Sequence, residues 1–159
     1  MALGGGVGST IFGSSEAHDL VLGKLYLGRM MTGMIGKGDW YQGNVELMGE
    51  LFGGREVSPR NGYVIGATPV LRYNFVRGTR WMPFLDIGFG PTATGIGHPD
   101  LDGIFQFNAQ AGTGVDWFVR KDLAVTLQYR YIHLSDGGMT HPNLGVNTSV
   151  FYAGVSWFF

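Results

Sequence analysis

Apolar and polar side chains alternate with period two along most of the chain, and clusters of Gly, Pro, Asp and Asn interrupt the alternation at intervals. A period of two marks extended strands that present one apolar and one polar face. The interruptions leave eight segments, at about residues 4–12, 19–31, 42–53, 62–76, 82–94, 104–119, 123–135 and 147–159. In the sixth, Phe105, Phe107, Ala109, Ala111, Val115 and Trp117 share a face, while Gln106, Asn108, Gln110, Gly112, Gly114 and Asp116 share the other. The third sets Val45, Leu47 and Leu51 against Asn44, Glu46 and Glu50. The second opposes Val21, Leu25 and Leu27 to Lys24 and Tyr26, with Leu20 and Leu22 as exceptions near its loop. The fourth sets Ile65, Ala67, Leu71, Tyr73 and Phe75 against Thr68, Arg72 and Asn74, and the fifth places Leu85, Ile87 and Phe89 opposite Asp86.

Most of these segments reach the about 9–11 residues that a tilted strand needs to cross a bilayer. Two arrangements satisfy the pattern: a membrane barrel with its apolar face outward, or a soluble barrel with the faces reversed. The polar face decides for the membrane. It is rich in glycine and carries Lys24, Arg72 and Arg130 against Glu46, Glu50, Asp86 and Asp116, groups that can pair in a narrow lumen. The expectation is an all-β, eight-stranded antiparallel transmembrane up-and-down β-barrel, a single domain over residues 1–159.

An even strand number puts both termini on one side, by the usual plan the periplasm. Arg77–Trp81, Arg120–Asp122 and the longer Thr32–Tyr41 are then inner turns; Gly13–Asp19, Gly54–Asn61, Gly95–Gly103 and Asp136–Val146 are outer loops. Trp81, Trp117, Trp157 and Phe159 fall at the inner rim, where an aromatic girdle belongs. Pro69, Pro83 and Pro91 cannot donate to a ladder, so bulges or local unpairing are expected there, most of all at Pro69.

Composition narrows the field. Hydrophobic residues make up 45% of 159 and charged residues 14%, with 28 glycines. A formal net charge of −1 gives no broad basic field for nucleic acid. Without cysteine there is no disulfide, thiol catalysis or thiolate metal site. Met1–Gly6 lacks the charged and apolar regions of a signal peptide, so the chain reads as a mature form without its leader.

One polar feature sits on an apolar face. His133 and Ser135 leave the seventh segment on the side that carries Leu123, Val125, Leu127, Tyr129 and Tyr131, at its outer end. A base and a hydroxyl nucleophile two residues apart suit attack on an ester carbonyl, and a lipid-facing position suits a lipid ester. The pair also has a plain reading, as interfacial side chains satisfied by water or headgroups.

The stretch Ile132-His133-Leu134-Ser135-Asp136-Gly137-Gly138, followed by Pro142-Asn143-x-Gly145 and an aromatic terminal strand, resembles the outer-membrane lipid A 3-O-deacylase family. Pro69–Tyr73 and Pro83–Gly90 add to the resemblance, which covers about residues 62–159, while the first two strands match in character only. The resemblance implies a bacterial outer-membrane hydrolase, without a cofactor, that takes lipid A of lipopolysaccharide as substrate and removes its 3-linked acyl chain by a membrane-facing Ser-His-acid arrangement. Ser135 is then the nucleophile and His133 the general base, with Asn143 and the Gly137–Gly138 N–H groups at the oxyanion. The family's acid position falls on Asn147, an amide that can orient an imidazole but not stabilise imidazolium by charge. Asp136 is the alternative acid, and it reaches His133 only if a bulge or turn reverses its direction. Two rivals remain: a catalytically inactive structural or adhesin-type barrel, for which Asn147 is the best argument, and a barrel acting on phospholipid esters.

Other groups read as ordinary. His18, His98 and His141 are expected as solvated loop histidines without metal-ligand spacing. Asp100 and Asp102 read as solvated carboxylates, with a lipid-bridging cation as the sharper alternative. Arg55 and Arg60, in the second outer loop, read as solvated cations within reach of lipid phosphates. Tyr129 and Tyr131 belong to the outer aromatic belt, and Arg130, Glu46 and Glu50 to a charge network filling the lumen.

Overall fold

A computed structural model describes residues 1–78 and 80–159. Its strands are β1 (Ala2–Phe12), β2 (Asp19–Met30), β3 (Gly43–Ser58), β4 (Tyr63–Phe75), β5 (Trp81–Thr94), β6 (Phe105–Arg120), β7 (Leu123–Ser135) and β8 (Val146–Trp157). Each strand pairs antiparallel with the next, and β8 returns to β1, which closes the barrel in up-and-down order. All eight expected segments are present. β3 runs on to Ser58, so Arg55 lies on an exposed strand face rather than in the second outer loop, which shrinks to residues 59–62.

The faces fall as the alternation requires. Leu25, Leu51, Ile65, Leu85, Ile87 and Leu127 are exposed on the outside, whereas Lys24, Glu50, Arg72, Asp86, Asp116 and Arg130 are buried in the lumen. An apolar exterior around a charged interior has a solvent that makes sense of it in lipid, and closure leaves no strand edge unpaired within that lipid. At the inner rim, Trp81 and Trp117 stack face to face with centroids 5.6 Å apart.

Inside, the barrel is layered. The middle holds the ion network: Arg130 donates to Glu50 at 2.5 Å and Asp86 at 3.1 Å, and Arg72 shares Asp86 at 3.1 Å. Toward the inner end lies an open vestibule of about 640 Å³ lined in part by Tyr26, Glu46, Met48 and Arg72. Toward the outer end an apolar cluster fills part of the lumen. Leu20 and Leu22, the exceptions in the second segment, join Phe52, Val64, Ile132, Leu134, Val146 and Val150 there. The third outer loop (residues 95–104) folds inward to add Ile96 and Leu101, which completes a plug. Full burial of such side chains contributes about 1.5–3 kcal/mol each, enough to hold the loop in the mouth.

The prolines produce unpairing rather than bulges. The β4–β5 ladder runs from Val64↔Thr94 to Gly66↔Thr92 and resumes, in the same register, at Val70↔Gly88. The interrupted stretch contains Pro69 on one strand and Pro91 on the other. Gly90 lies so close to the Ala67 carbonyl that a Cβ would collide with it. Asn108 spans the gap from the lumen: its Nδ2 donates to the Gly90 carbonyl at 2.9 Å, and its Oδ1 accepts from Thr68 Oγ1 at 2.8 Å. Pro83 lies one residue beyond the last β4–β5 pair, Asn74↔Phe84, where no N–H is needed.

Candidate active site

The outer ends of β7 and β8 bring His133 and Asn147 opposite each other as a register pair. Both point outward, as period two dictates for His133. His133 Nδ1 and Asn147 Oδ1 are 2.8 Å apart. An amide oxygen only accepts, so this contact puts the ring proton on Nδ1 and leaves Nε2 as the nitrogen able to take one. The amide is itself held on both ends. Tyr131 Oη donates to the same Oδ1, and Asn147 Nδ2 donates to the Phe12 carbonyl at 3.1 Å. That carbonyl is available because β1 slips its register between Thr10 and Phe12, setting Phe12 opposite Asn147. The Phe12 ring then stacks on Tyr131 at 6.1 Å. Tyr131 thus does more than belong to an aromatic belt: it fixes the orientation of Asn147.

Ser135 ends β7 on the same outward face. Its Oγ accepts from Gly137 N at 3.1 Å and from Asn143 Nδ2 at 3.1 Å. Neither contact uses the hydroxyl hydrogen. Among the described residues Ser135 and His133 share no direct hydrogen bond, so proton transfer requires the hydroxyl to turn toward the ring.

Asp136 does not serve His133. It is buried at the root of the fourth outer loop (residues 136–145), where Oδ1 accepts from Gly138 N at 2.8 Å and Met139 N at 3.1 Å, and Oδ2 from Thr140 N at 2.7 Å. This is the local backbone capture that Asp favours at turns. Hydrogen bonding holds its carboxyl below the usual range, with the Thr140 hydroxyl foremost, against the upward push of desolvation, and with the Gly138, Thr140 and Met139 N–H groups adding to it. The same Oδ1 accepts from Asn143 Nδ2. A carboxylate cannot donate, so Asp136 forces the NH₂ end of Asn143 toward Ser135. The expected oxyanion donor Gly138 is spent on Asp136, and Gly137 is the glycine whose N–H reaches Ser135. Gly145 has φ +80°, and a Cβ there would sit 3.0 Å from His133 Cε1, so the returning backbone packs directly on the imidazole.

The remaining candidates divide. His141 is exposed, and His98 is exposed beside Asp102 at 3.5 Å, as solvated loop groups should be. His18 is not: it is fully buried, with Glu56 on one ring nitrogen at 2.5 Å and Asp100 on the other at 2.8 Å. Asp100, expected in solvent or on a cation, is also fully buried and spends its oxygens on Ser15, Glu16 and His18. Arg60 pairs with Glu16 at 3.0 Å.

The geometry offers a hydroxyl held by two donors, an imidazole with a fixed tautomer and a free nitrogen, and an apolar approach on the lipid side. That set can add a serine oxygen to an ester carbonyl and stabilise the resulting charge. Residues 21–156 match the protein family described as lipid A 3-O-deacylase (PagL). No curated protein matches the sequence. The solved outer membrane enzyme PagL aligns with 18% identity and a TM-score of 0.70, over 97% of this chain and 98% of that one. Neisserial surface protein A aligns with 12% identity and a TM-score of 0.69, over 99% and 95%. Ail, the attachment invasion locus protein of Yersinia pestis, aligns with 11% identity and a TM-score of 0.56, over 99% and 95%. At these identities the structural likeness is one of fold.

Proposed function

This chain belongs to the lipid A 3-O-deacylase family PagL, and from that membership we propose that it is a bacterial outer-membrane esterase that removes the 3-O-linked acyl chain of lipid A. Ser135 is the nucleophile. His133 Nε2 takes its proton and returns it to the departing sugar oxygen, which leaves as a hydroxyl, and Asn143 Nδ2 with Gly137 N–H faces the oxyanion. The acyl-enzyme is then hydrolysed by water that His133 activates. Asn147 and Tyr131 hold the ring, and Asp136 acts through Asn143 as a positioning residue. The observation that carries this reading is the outward His133–Asn147 pair beside a doubly cradled Ser135, at the outer ends of β7 and β8.

Mass spectrometry of lipid A from cells with and without the protein tests it. The expected result is loss of one acyl chain from the 3 position. Unchanged lipid A with fatty acid released from phospholipid would transfer the reaction to phospholipid esters.

Asn147 favours a second reading, a barrel of this fold that does not turn over, because an amide leaves imidazolium without a counter-charge. Asn147→Glu tests whether a missing charge is what limits the site. Added charge beside His133 should raise kcat by about tenfold, the gain being limited by the lost bond to the Phe12 carbonyl. An unchanged or lower kcat in a correctly folded variant would mean that charge at this position is not what limits the rate.

A further inference from the structure

His18, Glu56 and Asp100 form a fully buried ionisable array beneath the outer loops, separate from the lumen network and from the Ser135 site. His18 closes the first outer loop (residues 13–18), Glu56 lies near the tip of β3, and Asp100 belongs to the third outer loop. Both ring nitrogens of His18 lie within hydrogen-bond distance of carboxyl oxygens, so the ring is held from both sides at once. The array is saturated around its edge. Asp100 accepts from Ser15 N at 2.5 Å, Ser15 Oγ at 2.6 Å and Glu16 N at 3.1 Å, while Glu56 accepts from Gly62 N at 3.2 Å. Burial pushes the Asp100 carboxyl up, but the Ser15, His18 and Glu16 donors overcome it and hold the group below its usual range. Two outer loops and the end of β3 therefore meet on one imidazole, and the second outer loop joins through Glu56.

The fourth loop is attached through the main chain. The Asp100 carbonyl accepts from Leu144 N at 2.9 Å and Gly145 N at 3.3 Å. Gly145 is the residue whose backbone rests on His133 Cε1. A continuous path thus runs from the His18 ring through the Asp100 side chain and carbonyl to Gly145 and the His133 imidazole. Shifts of about 1 Å in a positioned group can cost on the order of a hundredfold in rate.

We propose that His18 is a positioning residue for the esterase site, acting through Asp100 and Gly145 to set the His133 ring. The proposal rests on the esterase reading above, and its test has an arm that does not need turnover. The first arm is kinetics of His18→Asn and the milder Glu56→Gln in detergent-solubilised full-length protein, with barrel folding checked by heat-modifiable gel mobility. The expected result is a folded barrel whose kcat falls by about tenfold to a hundredfold in His18→Asn and less in Glu56→Gln, with KM within about threefold of the starting protein. The second arm is NMR of the four histidine rings, assigned by single substitution. The His133 signals should move in His18→Asn and Glu56→Gln and stay put in His98→Gln and His141→Gln. Unchanged kcat, a change in KM alone, immobile His133 signals, an equal response in the two exposed-loop controls, or loss of the folded barrel in both array variants would each overturn the proposal. If the unmodified protein releases no acyl chain while the His133 signals still follow His18, the esterase reading fails and the structural coupling stands.

Discussion

Ser135→Ala should lower acyl-chain release from lipid A by at least about a hundredfold and at most about a millionfold, the loss for the serine of a triad with its acid in place, with the barrel intact. The methyl group fits where Cβ already sits, so the change removes only an oxygen that accepts from Gly137 and Asn143. Under the proposed mechanism those donors act through charge on the carbonyl oxygen, and without a nucleophile the covalent route is closed. Residual activity then reflects water attacking in the same pocket. Quantitative mass spectrometry of lipid A incubated with the variant reads the effect. A loss below about tenfold would remove Ser135 from the nucleophile's role, because a merely positioning hydroxyl costs no more than a hydrogen bond.

Arg130→Met should destabilise the barrel by about 3–5 kcal/mol. Arg130 is 1% exposed and reaches Glu50, Gln110 and Asp86. Arg72 still serves Asp86 after the change, whereas Glu50 is left as a buried carboxylate without its cation. Denaturant unfolding in detergent or vesicles measures the loss. Adding Glu50→Gln to Arg130→Met should recover a substantial part of it, because the unpaired charge is then gone. Equal stability of the single variant and the original protein would show that water in the inner vestibule reaches Glu50.

The eight strands, their faces and the outward direction of His133 and Ser135 all follow from a period of two, which is a local property. The apolar plug does not. Leu20 and Leu22 break the alternation because Ile96 and Leu101 return from a loop more than seventy residues later to cover them. The pairing of Asn147 with His133 depends on register across the ten-residue fourth loop, and only the family motif indicated it in the sequence. Proximity to Ser135 in the sequence suggests Asp136 as an acid, and the family resemblance suggests the Gly138 N–H as an oxyanion donor, yet a local turn claims the carboxylate and that N–H for each other. The burial of His18 is invisible locally for the opposite reason: its two partners lie 38 and 82 residues away, and nothing adjacent to it signals burial.

The missing rungs between β4 and β5 make the cylinder mechanically uneven. Hoop stiffness in a closed sheet comes from backbone bonds repeated around its circumference, and here one longitude substitutes a single amide side chain, Asn108, for part of that hoop. Lateral pressure from a thicker or more tightly packed leaflet will therefore distort the wall at this seam before it distorts β7 and β8, whose ladder is unbroken. The longitude that carries His133 and Ser135 is thereby insulated from that distortion.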